Sequence, residues 1–153
     1  VEMNAVAGLR FAASALVPFS TLTPARVQGP ATRYVVPEPN VLDEFAPLGL
    51  GRVEFRGPLS VQYLLPDGAV YLSADASLPP AARTWGDCEL IIRQDGRRIF
   101  SATLNADEPT ATIGVPLNGS QLTVEVTEGA GGPIQDRVVF LRAIVLVEQS
   151  DEN

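Results

Sequence analysis

Asp95-Gly96 restricts what this chain can become more than any other pair of residues in it. It lies between the strand-like run Cys88-Glu89-Leu90-Ile91-Ile92-Arg93 and a return from Arg98 to Leu104. A tight type I′ turn needs positive φ at both central residues, and Asp-Gly supplies it. The pair therefore predicts an antiparallel hairpin. Cys88, Leu90 and Ile92 share one face of its first strand, and Phe100, Ala102 and Leu104 share one face of its second.

Period-two alternation continues on both sides of this hairpin. Leu59, Val61, Tyr63 and Leu65 form one apolar face that ends at Pro66-Asp67-Gly68, and Val70, Leu72, Ala74 and Ala76 form the next. Arg52-Val53-Glu54-Phe55 alternates ahead of them. Ala111, Ile113 and Val115 lead into Asn118-Gly119, which predicts a second hairpin. Leu122, Val124 and Val126 follow, with Thr123, Glu125 and Thr127 on the opposite face. Val138 to Val147 is a nearly continuous apolar run broken by Arg142, the pattern of a strand buried on both faces. About eight strands at this spacing, with turn signals and no helical periodicity, predict an all-β chain folded as an antiparallel β-sandwich or jelly roll.

The first nineteen residues carry an apolar side chain at every odd position, from Val1 and Met3 to Val17 and Phe19. This predicts an extended strand or arm over 1–19, broken near Gly8, that pairs with an edge of its own sheet or of a neighbouring subunit. A signal peptide is the rival reading, and Arg10 interrupts the apolar stretch it would need. Ser20 to Pro47 is expected to be loop-rich, punctuated by Pro24, Pro30, Pro37, Pro39 and Pro47, with Arg33-Tyr34-Val35-Val36 as its strand candidate. The expected organisation is an arm over 1–19, a sandwich domain over 20–149 and an acidic tail over 150–153. A chain that opens on Val1 is expected to have been processed or excised from something longer.

Composition narrows the chemistry. With 153 residues the chain is long enough to bury a core without a staple, and Cys88, its one cysteine, is expected as a small buried hydrophobe. Histidine is absent and all 11 basic residues are arginine. That removes histidine-dependent triads, histidine metal sites and lysine Schiff-base chemistry, so an enzyme is not expected. A net charge of −7 argues against nucleic acid and anionic membrane surfaces as partners. No run approaches the ~20 apolar residues of a transmembrane helix, so no membrane insertion is expected.

From Phe19 onward, the order of several short segments carries a likeness. They are Leu22-Thr23-Pro24, Pro47-Leu48-Gly49-Leu50-Gly51, Leu59-Ser60-Val61-Gln62-Tyr63-Leu64-Leu65, the hairpin from Cys88 to Phe100, Leu122-Thr123-Val124-Glu125-Val126, and Asp136-Arg137-Val138-Val139-Phe140-Leu141-Arg142-Ala143. Together they resemble the NPCBM family, carbohydrate-binding-module-like domains. The likeness covers roughly Phe19 to Val147. The resemblance implies a galactose-binding-like β-sandwich, a non-catalytic module with polysaccharide as partner, and an extracytoplasmic, secreted or cell-surface setting. Two places depart from the family pattern. Arg52-Val53-Glu54-Phe55 stands where a His-Ser pair is common, and Val138-Val139-Phe140 where a tryptophan is often found.

Two loops carry candidate chemistry. Arg83-Thr84-Trp85-Gly86-Asp87 joins an aromatic plate to charged groups, as a saccharide site requires: a ring against the C–H face of the sugar, and polar groups for its hydroxyls. The plainer reading makes Trp85 a plug at the end of the sandwich. The Gly-rich stretch from Glu128 to Arg137 is the second candidate, because long loops in compact domains are often functional. If the loops meet, Trp85 stacks on the ligand while Arg83, Asp87, Gln135, Asp136 and Arg137 reach hydroxyls. Glu128 and Asp136 are the candidate oxygen ligands for a calcium ion as cofactor. The alternative is a structural or assembly subunit that uses the same fold for protein contacts, by strand donation from its N-terminal arm.

Overall fold

The alternating segments become two facing antiparallel sheets. The computed structural model describes residues 14–29, 34–35, 53–82, 86–128 and 137–148. Among them run eleven strands: β1 (Ser14–Pro18), β2 (Pro24–Gln28), β3 (Tyr34–Val35), β4 (Val53–Arg56), β5 (Leu59–Leu64), β6 (Ala69–Ser77), β7 (Cys88–Gln94), β8 (Arg97–Leu104), β9 (Thr110–Pro116), β10 (Gln121–Glu128) and β11 (Arg137–Glu148). One sheet has the order β3-β4-β11-β6-β9, with β1 also paired to β11, and the other has the order β2-β5-β10-β7-β8. The all-β sandwich is as expected.

The inward faces pack into one core. Leu59, Val61 and Tyr63 of β5, Leu90 and Ile92 of β7 and Val124 and Val126 of β10 meet Leu72, Ala74 and Ala76 of β6, Ile113 of β9 and Val145 of β11, all at most 3% exposed. Cys88, the one cysteine of the chain, is buried among them. An aromatic cluster ties the N-terminal part to the last strand. Phe19 meets Tyr63 at 4.8 Å and Phe140 at 5.7 Å between ring centroids, and Phe55 meets Phe140 at 4.9 Å.

β7 and β8 form the expected hairpin, with Asp95 at φ 49° and Gly96 at φ 84°. Asn118-Gly119 corrects the expectation. It turns the chain, but β9 pairs with β6 in one sheet while β10 pairs with β5 and β7 in the other, so the segment is a crossing and not a hairpin. Backbone bonds to both layers hold it there: Leu117 N–H donates to Val70 O (2.8 Å), and Leu65 N–H donates to Ser120 O (2.8 Å). The Gln94 and Asp95 side chains complete the anchorage. Gln94 Oε1 accepts the N–H groups of Asn118 (2.8 Å) and Gly119 (3.0 Å), and Asp95 Oδ1 accepts that of Gln121 (3.0 Å). Polar turn chemistry marks a reversal; it does not say which sheet receives the next strand.

Three further expectations change. Pro24–Gln28 is a strand inside the stretch read as loop, and Pro24 is tolerated as the first residue of an edge strand. In β6 the buried residue of the first turn is Ala69, with Val70 half-buried, because the register with β11 shifts between Leu146 and Val147. In β11 burial on both faces covers only Val138-Val139-Phe140. Arg142, at φ 51°, then forms a bulge, after which Ala143, Val145 and Val147 point inward and Ile144 and Leu146 lie half-buried outside. Within the N-terminal arm, Ser14–Pro18 pairs with the chain's own β11, from Ser14 opposite Glu148 to Pro18 opposite Ile144. Residues 1–13, with the break at Gly8, lie outside the described residues.

Candidate functional site

The connections fall at the two ends of the sandwich, the longest of them at one end. At one end sit the short turns: residues 65–68, Asp95-Gly96 and residues 117–120. The other end gathers residues 57–58, 78–82, 86–87 and 105–109, together with the last residue of β10, Glu128, and the first of β11, Arg137. Both candidate loops leave from this second end. Glu128, the last residue of β10, is the register partner of Cys88, the first of β7, so the Gly-rich loop and the tryptophan-bearing link are rooted side by side. Cys88 is also opposite Leu104, which brings the start of 105–109 to the same place.

Hydrogen bonds order the described parts of these loops. Asn105 Oδ1 accepts the N–H groups of Asp107 (3.0 Å) and Glu108 (2.9 Å), an Asx turn. Leu78 N–H donates to Pro109 O (2.8 Å), joining two neighbouring connections. Pro80–Ala82 makes one 3-10 turn, and Gly86 N–H donates to Ala82 O (2.7 Å), closing the link just before β7.

Of the residues singled out from sequence, Asp87 is half-buried immediately before β7, and Arg137 opens β11. Arg83, Trp85, Gln135 and Asp136 lie outside the described residues, as does the side chain of Glu128. Among the described residues no three acidic, cysteine or histidine groups converge on a metal position.

Arg137 is engaged by a residue that sequence reasoning passed over. Glu54 is 6% exposed although it occupies an outward position between inward Val53 and Phe55. Its Oε2 accepts Arg56 Nε (3.2 Å) and Nη2 (2.9 Å), and its Oε1 accepts Arg137 Nε (2.9 Å) and Nη2. Burial alone would push the Glu54 carboxyl up, but the hydrogen bonds and charges of Arg137 and Arg56 outweigh it and hold the group below the ordinary carboxylate range. The triad spans β4 and β11, so it fixes the residue on which the 129–136 loop returns. The available signal was Glu54 and Arg56 two apart in a strand, hence on one face.

No family model matches the sequence, and no curated protein matches it. Solved structures do. The CBM51 module of GH95 from Clostridium perfringens, solved in complex with methyl-galactose, superposes with a TM-score of 0.69 at 14% identity, covering 86% of this chain and 99% of that one. The CBM51-2 and INT domains of ZmpB from the same organism, solved with GlcNAc, give 0.69 at 13% identity over 87% of this chain. The M60 catalytic domain with its two CBM51 domains from ZmpB gives 0.71 at 15% identity over 88% of this chain, which spans 15% of that longer one. Identities this low establish architecture alone. The chain has the β-sandwich fold of these CBM51 modules.

Proposed function

We propose that this protein is a non-catalytic carbohydrate-binding module of a secreted or cell-surface protein, with its saccharide site at the long-loop end of the sandwich. The observation that carries the reading is the pairing of Glu128 with Cys88, which roots the tryptophan-bearing link and the Gly-rich loop next to each other on a rigid scaffold. Two of the solved structures with this fold are complexes with methyl-galactose and GlcNAc, which makes these sugars the first probes. In this reading Trp85 stacks on the sugar ring, Arg83, Asp87, Gln135 and Asp136 reach its hydroxyls, and the Glu54 triad positions the loop through Arg137.

The test is titration with galactose, GlcNAc and a polysaccharide panel, repeated with Trp85→Ala. Loss of a stacking aromatic should cost about 1–3 kcal/mol, or about tenfold to a hundredfold in affinity, with the melting temperature retained. Undiminished affinity would move the site away from Trp85, and no affinity for any glycan in the wild type would remove the reading.

One observation favours assembly as a second reading. Leu16 opposite Leu146, Leu146 opposite Tyr71 and Tyr71 opposite Pro116 form an apolar row across the outer face of β1, β11, β6 and β9, with Leu16 61% and Tyr71 40% exposed. A subunit that associates through this row should sediment as a concentration-dependent oligomer, and Leu16→Asp should return it to monomer. A monomer at all concentrations would set this reading aside.

A further inference from the structure

The short-turn end holds a cavity that none of the candidate loops touches. It measures about 310 Å³ and is lined by Gln94, Arg97, Ile99, Val115, Pro116, Leu117 and Asn118. These residues come from both sheets where the edge strands β8 and β9 face each other, so the cavity opens into the space between the layers. Its origin is visible in β7. Cys88, Leu90 and Ile92 point inward and are apolar, and the next inward position is Gln94, which is only 3% exposed. An amide there stands where the alternation would put another apolar residue, and it lines the cavity. A buried polar side chain is the informative exception in a core.

The lining has three kinds of chemistry. Ile99, Val115, Pro116 and Leu117 make an apolar wall. Gln94 and Asn118 present amides. Gln94 Nε2 donates one hydrogen to Asn118 Oδ1 (2.8 Å), and its second has no acceptor among the described residues. Arg97 brings a positive charge. Arg56, Arg93, Arg137 and Arg142 each pair with a carboxylate, whereas Arg97 has no ion-pair partner among the described residues. In a chain of net charge −7 general attraction for anions is absent, so an anion held at Arg97 must be held by local geometry.

We infer that this cavity is a second binding site, distinct from the long-loop site and independent of it, for a single acidic sugar unit. The uronate carboxylate pairs with the Arg97 guanidinium, hydroxyls meet the Gln94 and Asn118 amides, and the C–H face of the ring lies on the apolar wall. The volume is at the small end of ligand pockets, which suits one ring and not a chain threaded through the site.

The experiment is amide-resolved NMR titration of the whole chain with galacturonate and glucuronate, against galactose, inorganic phosphate and benzoate. The uronates should shift the signals of Gln94, Arg97, Ile99, Val115, Leu117 and Asn118. Affinity should fall about tenfold or more in Arg97→Gln, from loss of a charge-assisted bond, and stay unchanged in Arg98→Gln. Both arginines are exposed, so neither change threatens folding. Three results would overturn the inference: no shift at these residues with either uronate, galactose acting as strongly and indifferent to Arg97→Gln, or phosphate or benzoate holding the cavity in preference to the sugars. Signals of Asp87, Cys88 and Glu128 report the long-loop end separately. A sugar seen only there upholds the proposed function and overturns this site; one seen only in the cavity does the reverse.

Discussion

Phe140→Ala is expected to destabilise the fold by about 3–5 kcal/mol, the range for emptying a large buried aromatic site. Phe140 is fully buried and stands between Phe19 and Phe55, so its ring joins the segment after β1, the short strand β4 and the long strand β11. No neighbour is placed to fill the hole, because Phe19 is already committed to Tyr63 at 4.8 Å. Urea unfolding should show a lower midpoint with little change in slope, as for a loss of stability without a change in compactness. Phe100→Ala, at a half-buried position, should cost clearly less. Equal effects for the two variants would mean that the aromatic cluster is not the centre of the core.

The second large effect concerns Glu54. Removing one partner from a buried ion pair typically costs about 3–5 kcal/mol, and the lower limit applies because the side chains of Arg56 and Arg137 remain 48% and 36% exposed to water. Glu54→Ala is therefore expected to lose about 3 kcal/mol, leaving two guanidinium groups facing each other. The same group gives a pH signature. Its carboxyl titrates lower in the folded chain than in the unfolded chain, so the unfolded state binds more protons between the two values. The stabilisation is complete above the unfolded value of about 4.5 and is lost as pH falls through the folded one. Wild type should lose stability over that acid window, and Glu54→Gln should show a shallower loss. Parallel profiles for the two proteins would remove the triad from the account of acid stability.

The parts of the fold that were legible in sequence are those where one strand face is buried and the other is wet. Leu59, Val61 and Tyr63 are in the core while Ser60 and Gln62 are half-exposed, as alternation says, and Asp95-Gly96 gives its turn because only positive φ closes so short a link. Legibility failed where a choice was tertiary. Asn118-Gly119 has hairpin chemistry, yet the destination of its second strand depends on Gln94 and Asp95, more than twenty residues upstream, which take hold of its backbone. Glu54 alternates correctly and is still buried, because the arginines that compensate it come from two places in the chain. The long-loop end was legible as chemistry, an aromatic beside charged groups, and the register added that the two stretches share a root. The cavity at the opposite end was not legible at all. It requires β8 and β9, from different sheets, to stand opposite one another.

The pairing of Ser14 with Glu148 has a mechanical consequence. These residues sit at the outer ends of β1 and β11, so the polypeptide enters and leaves the described fold at a single point. If chain on both sides of the domain were under tension, the load would fall on one antiparallel pair, pulled apart from its open end. The bonds between β1 and β11 would then break one after another, like a zipper, where strands loaded in shear must break several at once. The sheet beyond β1 would be untouched at first, since β11 is held independently by β4 and β6. Loaded in that way, the fold would yield early and in steps.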